Sequence, residues 1–314
     1  MVILSLASVG TGSRNLNKIL LLGSGLVGSS IAKSLLAKGW NIEKHIAIDW
    51  IDHKTRGEQI NAIFNIVHSA VEFKAHIDVI WAAGNSRFNG EQSIFDREWA
   101  AFSDILNLTT NLSDTSKSNH LTFHYVSSAG GLFDGMMMVK NSDNPDPQNC
   151  YGFSKLKQEQ AVLSLPQAVR TQIYRPSSIY GYARNGKVGL ITMLILDALD
   201  GKVTKISSDP TTARDFIFAD DVGDFVSEYV SDDSALSQIH TLASGRTTSI
   251  LEAIELVRKA LPVPLNIQFN PKPAQPINNS YSASALPENF KPTPIDVGIE
   301  KAIRQIHESK SHTL

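Results

Sequence analysis

The stretch Lys18-Ile19-Leu20-Leu21-Leu22-Gly23-Ser24-Gly25-Leu26-Val27-Gly28 decides the fold. A short apolar run leads directly into Gly-x-Gly-x-x-Gly, so Lys18 to Leu22 reads as a strand and Leu26 to Lys38 as the helix that follows the turn. In that position the glycines serve a tight turn, close approach of the backbone to a pyrophosphate, and tight packing of helix on sheet, with the helix N-terminus aimed at the anion. Asp49 follows about 20 residues beyond the last glycine, at the end of the second strand, where a carboxylate accepts hydrogen bonds from an adenosine ribose. A carboxylate there favours NAD over NADP, because a 2′-phosphate would meet like charge. Arg56 is close enough in sequence to keep NADP open.

Working outward, short β-rich runs alternate with helical stretches, the pattern of a parallel sheet with crossover helices. Strands are expected at His45 to Ile48, Ile77 to Trp81, Thr122 to Ser127 and Gln172 to Tyr174. Helices are expected over Glu91 to Leu112 and Tyr151 to Leu163. Beyond Tyr180 the alternation loosens into helices at Leu190 to Leu199, Asp220 to Tyr229 and Ser249 to Ala260, with a strand at Phe216 to Phe218. The expected fold class is α/β, a doubly wound parallel (Rossmann) sheet with a smaller C-terminal lobe. Residues 1–16 read as a loose extension and 17–180 as the dinucleotide-binding domain. Residues 181–314 read as a substrate-binding lobe interleaved with the last sheet strands.

Composition agrees with a globular protein that has ample material for a buried core. Of 314 residues 42% are hydrophobic and 19% charged, and 29 basic against 31 acidic side chains leave a net charge of −2, which excludes a strongly basic nucleic-acid binder. Cys150 is the only cysteine, so an internal disulfide is impossible and a reducing cytoplasm is the natural setting. We expect its thiol to be buried. No apolar run approaches the ~20 residues that cross a bilayer, so no membrane partner is expected. The nine histidines are scattered without ligand spacing, and no metal is expected.

The chemistry is carried by Tyr151-Gly152-Phe153-Ser154-Lys155. Four residues apart on a helix, the phenol and the ammonium share one face. A fixed ammonium ~4 Å from a phenol, at an effective dielectric of ~20, favours phenolate by ~4 kcal/mol, enough to make such a group an acid/base near neutral pH. Upstream, Val126-Ser127-Ser128-Ala129-Gly130 ends a strand with two serines, at the sheet edge where ligands of such folds lie. Ser128 there can donate a hydrogen bond to the oxygen that Tyr151 protonates.

With these landmarks, and with Trp81-Ala82-Ala83-Gly84, Tyr174-Arg175-Pro176-Ser177-Ser178 and Ala213-Arg214-Asp215-Phe216 in order, the chain resembles the extended short-chain dehydrogenase/reductases, in particular the NAD-dependent epimerase/dehydratase group that acts on nucleotide sugars. The resemblance implies that Tyr151 is the acid/base, that Lys155 holds the nicotinamide ribose, and that Ser128, in preference to Ser127, polarises the reacting oxygen. It implies a cofactor held by Gly23, Gly25, Leu26, Val27, Gly28, Asp49, Ala82, Ala83, Gly84, Pro176 and Ser178. Arg214, and in part Lys272, would approach a substrate diphosphate; the competing reading of Arg214 is an ion pair with Asp215 or Asp220. Helices near 91 to 112 and 151 to 163 would form a homodimer face.

Departures from the family pattern shape the expectation. Leu22 stands where a first glycine is usual, the stretch from Asp49 to Trp81 looks short enough for a trimmed helix, and no Asn stands near the start of the helix around Trp99. Ala129-Gly130 replace the Asp-Glu of the 4,6-dehydratases, which argues against dehydration. The Met136-Met137-Met138 run reads as a mobile loop over the pocket. The function expected is Tyr-assisted hydride transfer at a sugar hydroxyl or keto group, as an epimerase. The rivals are a 4-ketoreductase or alcohol dehydrogenase of the same fold, and a non-catalytic NAD(H)-binding protein.

Overall fold

The structure, a computed structural model, describes residues 2–8, 17–49, 51–71, 76–84, 90–115, 121–184, 186, 188–232, 234–270 and 278–311. The first half runs β1 (Val2–Ser8), β2 (Lys18–Leu22), α1 (Leu26–Ala37), β3 (Asn41–Ile48), α2 (His53–Val71), β4 (Ile77–Trp81), α3 (Gln92–Thr115) and β5 (Leu121–Val126). There follow α4 (Ala129–Leu132), α5 (Cys150–Leu163), β6 (Val169–Pro176), β7 (Ser178–Tyr180), α6 (Leu190–Leu199), β8 (Val203–Ile206) and β9 (Ala213–Phe218). The chain closes with α7 (Ala219–Glu228), β10 (Gln238–Leu242), β11 (Thr247–Ser249), α8 (Ile250–Ala260), β12 (Asn266–Phe269) and α9 (Ile295–Ser311).

The main sheet has seven strands in the order β10-β6-β5-β4-β2-β1-β3. The first five are mutually parallel. β4 and β5 are buried along their whole length, as parallel strands covered on both faces must be. Alternation along each strand sends successive side chains to opposite faces. Leu20, Leu22, Val79, Trp81, Phe123 and Tyr125 meet Ala101, Phe102 and Ile105 of α3 on one side. Ile19, Leu21, Ile80, Val126 and Tyr174 meet Ile31 and Leu35 of α1 and Val222, Phe225 and Val226 of α7 on the other. This is the doubly wound parallel sheet that the alternation predicts.

A second core fills the later part of the chain, where Ile191, Leu194 and Ile195 of α6 pack with Phe216 and Phe218 of β9, Ile254 of α8 and Ile299 of α9. Elements from this half also return to the sheet. β10 pairs with β6 from Gln238↔Gln172 to Leu242↔Pro176, and α7 covers the same sheet face as α1. Among the described residues, no helix is long and apolar enough to cross a membrane.

Two expectations are corrected here. The extension is not loose throughout: β1 is inserted between β2 and β3 and runs antiparallel to both, because an apolar segment finds sheet partners that only the folded chain supplies. Residues 9–16 lie outside the described ones. Nor is the stretch after Asp49 trimmed. α2 has 19 residues, and Asp52 caps its start by accepting from Lys54 N–H at 3.0 Å and Thr55 Oγ1 at 2.5 Å.

Candidate active site

The glycine turn is built by close approach. Gly23 has φ 123°, and a Cβ added there would stand 2.4 Å from the Ala82 carbonyl oxygen, while one at Gly28 would stand 2.0 Å from the carbonyl oxygen of Gly23. Both contacts are with backbone, so only glycine fits. Gly25 differs, since a Cβ there would meet nothing within 4 Å. It is the N-cap of α1 and has no side-chain cap, leaving the helix N-terminus to face an anion.

Over this turn lies a cavity of about 280 Å³. It brings together Gly25, Leu26, Val27, Ala82, Ala83, Gly84, Tyr151 and Lys155, residues that the sequence scatters over three segments. Ser127, Ile179, Val188 and Gly189 also line it; of these, sequence reasoning weighed only Ser127. A larger hollow of about 450 Å³, with Lys33, Tyr182, Arg184 and Gln305 on its walls, holds none of these residues.

α5 begins at Cys150 because Asn149 accepts from the Gly152 N–H at 3.0 Å. The thiol of Cys150 at this first position is exposed, which corrects the expectation of a buried one. Lys155 is buried, with Nζ 5.8 Å from the centre of the Tyr151 ring and 5.5 Å from that of Tyr125. Its ammonium is 3.5 Å from the buried carboxylate of Glu98 and donates to Gln158 Oε1 at 3.2 Å. Gln158 completes a closed network, accepting from Tyr125 O–H at 2.6 Å and donating to Glu98 at 3.2 Å. Burial alone would lower the affinity of Lys155 for its proton, but Tyr125, Glu98 and Tyr151 outweigh it and hold the group above the ordinary lysine range.

The other predicted residues are placed as follows. Ser128 caps α4, its Oγ accepting from Gly131 N–H at 3.2 Å. Ser127 Oγ is buried with no hydrogen-bond partner among the described residues. Pro176 ends β6 and Ser178 opens β7, and from this segment Ile179 reaches the cavity lining. Arg214 pairs with Asp134 at 3.4 Å, a partner the sequence did not suggest; Asp215 instead takes Ser177 O–H at 2.6 Å, and Asp220 takes Lys33 at 2.6 Å. Lys272 lies outside the described residues. The methionine loop is tied down, with Val139 N–H on the Ser280 carbonyl at 3.0 Å and Met138 N–H on Ser280 Oγ at 2.8 Å.

Asp49 sits apart from the cavity lining. Its carboxylate accepts from the N–H groups of Asp52 and Ile51, which hold it below the usual aspartate range. Arg56 is wholly buried, with Nε on Asp104 at 2.5 Å, Nη1 on the Asp49 carbonyl at 3.2 Å and Nη2 on His53. Its charge is therefore engaged inside the protein and not presented to a 2′-phosphate.

Residues 19–238 match the family described as NAD dependent epimerase/dehydratase. The chain belongs to that family. Over 133 residues this family member is 28% identical to dTDP-L-rhamnose 4-epimerase of Burkholderia thailandensis, a match that covers 40% of this chain and 37% of that relative's length. Its fold is similar to that of a UDP-glucose 4-epimerase from Thermus thermophilus solved with NAD, with a TM-score of 0.70 and 17% identity over 90% of this chain and 96% of the other. A dTDP-glucose 4,6-dehydratase from Bacillus anthracis, also solved with NAD, gives a TM-score of 0.69 and 14% identity over 92% and 95%. ADP-L-glycero-D-manno-heptose-6-epimerase of Helicobacter pylori gives 0.68 and 18% over 91% and 94%.

Proposed function

We propose that this chain is an NAD-dependent epimerase of a nucleotide sugar. The observation that carries the reading is the cavity in which the glycine turn, Ala82 to Gly84, Tyr151 and Lys155 converge. The cleft suits a dinucleotide: Gly25 leaves open space at an uncapped helix N-terminus, and Ser127 brings a buried hydroxyl, unpartnered among the described residues, to the same wall. When bound, NAD supplies the acceptor and donor of hydride.

The chain's own residues do the rest. Tyr151 removes the proton of a substrate hydroxyl and later returns it, and Lys155, kept protonated by its surroundings, stabilises the phenolate between those steps. Ser128 accepts from Gly131 N–H and still has its own O–H to donate to the reacting oxygen. Arg214 turns from Asp134 to the substrate diphosphate, and Lys272 is the second cation the sequence offers for it. Ala129 and Gly130, buried in α4, offer no acid or base, so elimination of water lacks its catalytic groups.

The test is to incubate the NAD-loaded protein with UDP- and dTDP-hexoses and to follow the sugar epimers by NMR while recording absorbance near 340 nm. We expect epimer exchange with no net absorbance change. Tyr151→Phe should lower the rate by about 10²- to 10⁴-fold. Stoichiometric appearance or loss of reduced cofactor would replace epimerase by ketoreductase or dehydrogenase. Dinucleotide binding with no turnover of any sugar would leave a non-catalytic binder.

A further inference from the structure

Glu98 is buried at 1% exposure near the start of α3, at the end of the helix where the resemblance expects an Asn. It stands where chemistry has use for a charge. Its carboxylate is 3.5 Å from Lys155 Nζ, it accepts from Gln158 Nε2 at 3.2 Å, and it is the group nearest to a Cβ added at Gly84, at 3.4 Å. Gln158 ties the same ammonium to Tyr125. The other groups facing Lys155 are the phenols of Tyr125 and Tyr151. Glu159, on the same helix, is engaged with Arg175 at 2.6 Å. Glu98 is thus the carboxylate paired with this ammonium, and it lies behind Gly84 and Lys155, which line the cleft.

We infer that Glu98 is a positioning residue that acts through Lys155: it fixes where the ammonium sits and shares its charge with Tyr151. A buried ion in a low dielectric acts over several ångströms. A carboxylate paired with Lys155 offsets part of the field that the ammonium exerts on the phenol. The inference rests on the reading of Tyr151 and Lys155 as a working pair, and it adds that the pair is set by a third, buried charge.

The experiment reads phenolate formation directly. Tyrosinate absorbance near 295 nm is followed against pH, and the curve of the Tyr151→Phe protein is subtracted, so that the Tyr151-dependent part remains. The same pair of curves is taken with Glu98→Gln, which keeps the shape of the side chain and its bond to Gln158 while removing the charge. The Tyr151-dependent transition should move toward acid by about one pH unit. Glu98→Asp, which keeps the charge on a shorter stem, should move it less, and stands in for the glutamine variant should that fail to fold. A transition that stays in place or moves toward base overturns the inference. The pH profile of the rate should shift in the same direction. If Tyr151→Phe leaves the rate unchanged, the catalytic reading fails, while the absorbance titration still decides the role of Glu98.

Discussion

His240 lies on the sheet face opposite the cofactor network, and its burial makes a pH prediction. The ring packs against Tyr174, with centroids 5.5 Å apart, and against Tyr229 at 4.7 Å and Phe225 at 5.1 Å, and Nε2 is 2.9 Å from Gln172 Oε1. Burial first, then the nearby His124, pushes its proton affinity down to about 4. The folded chain therefore keeps His240 neutral where the unfolded chain, at about 6.5, has taken a proton. A depressed folded value contributes stability that is fully present above pH ~6.5 and is lost as pH falls toward ~4. The whole window is worth about 3 kcal/mol, of which about 2 kcal/mol has gone by pH ~5. On a chain of this size that is a fall in Tm of about 4 °C. Urea unfolding at pH ~7.5 and ~5 measures it, and His240→Gln should show about 2 kcal/mol less pH sensitivity than the parent. Asp78 does not confuse the reading. Although burial opposes it, hydrogen bonds from His124 and His76 hold Asp78 far below the aspartate range, so its contribution is lost only in stronger acid. Equal losses in parent and variant would refute the burial argument.

Two further predictions separate the parts of the cofactor turn and its edge. Gly28→Ala should destabilise by about 1 to 3 kcal/mol, because the added methyl meets a backbone carbonyl that cannot easily yield; Gly25→Ala should leave unfolding unchanged and still weaken NAD binding, since its methyl enters the open cleft, and equal effects of the two in calorimetric titration and melts would count against this division. Deleting residues 1–16 should let β3 pair directly with β2 and carry Asp49 inward by about 4.8 Å, raising NAD affinity about tenfold; an unchanged Kd would show that β1 does not hold the two strands apart.

The parts of this molecule legible in the sequence are those whose signals are local. β2, β4 and α6 have the bounds expected, because apolar runs bounded by glycine, proline or charge define themselves. β1 escapes such a reading because its partners are chosen non-locally, and nothing in its own residues distinguishes a paired strand from an apolar tail. The choice between Ser127 and Ser128 turns on where β5 stops. It stops at Val126, one residue before the expected end, and beyond it Ser127 lines the cavity while Ser128 turns to cap α4. Glu98 has no local signature at all. Its meaning arises only when α3 and α5 bring it to Lys155, and the one hint in the sequence is an absent Asn.

The two ends of the cleft follow different physical rules. Around Tyr151 and Lys155 the lining comes from β4, β5 and α5, whose strands have neighbours on both sides and whose ammonium is held among Glu98, Gln158 and two phenols; position there is fixed by packing. Asp49, by contrast, follows β3, which β1 separates from the glycine turn by one extra ladder spacing. A hydrogen bond does not survive such a displacement, since it weakens beyond about 3.5 Å. Repulsion between charges does at low salt, because it falls with the inverse of distance until screening cuts it off over ~8 Å. A carboxylate held ionised by Ile51 and Asp52 would still oppose a 2′-phosphate bound beside it, and Arg56, the cation that the sequence offers to offset it, is locked on Asp104. If Asp49 is the ribose-side carboxylate, NAD should be preferred over NADP by repulsion without a ribose hydrogen bond, and the ratio of the two Kd values should shrink as salt screens the charge; a ratio that does not change with salt would refute it.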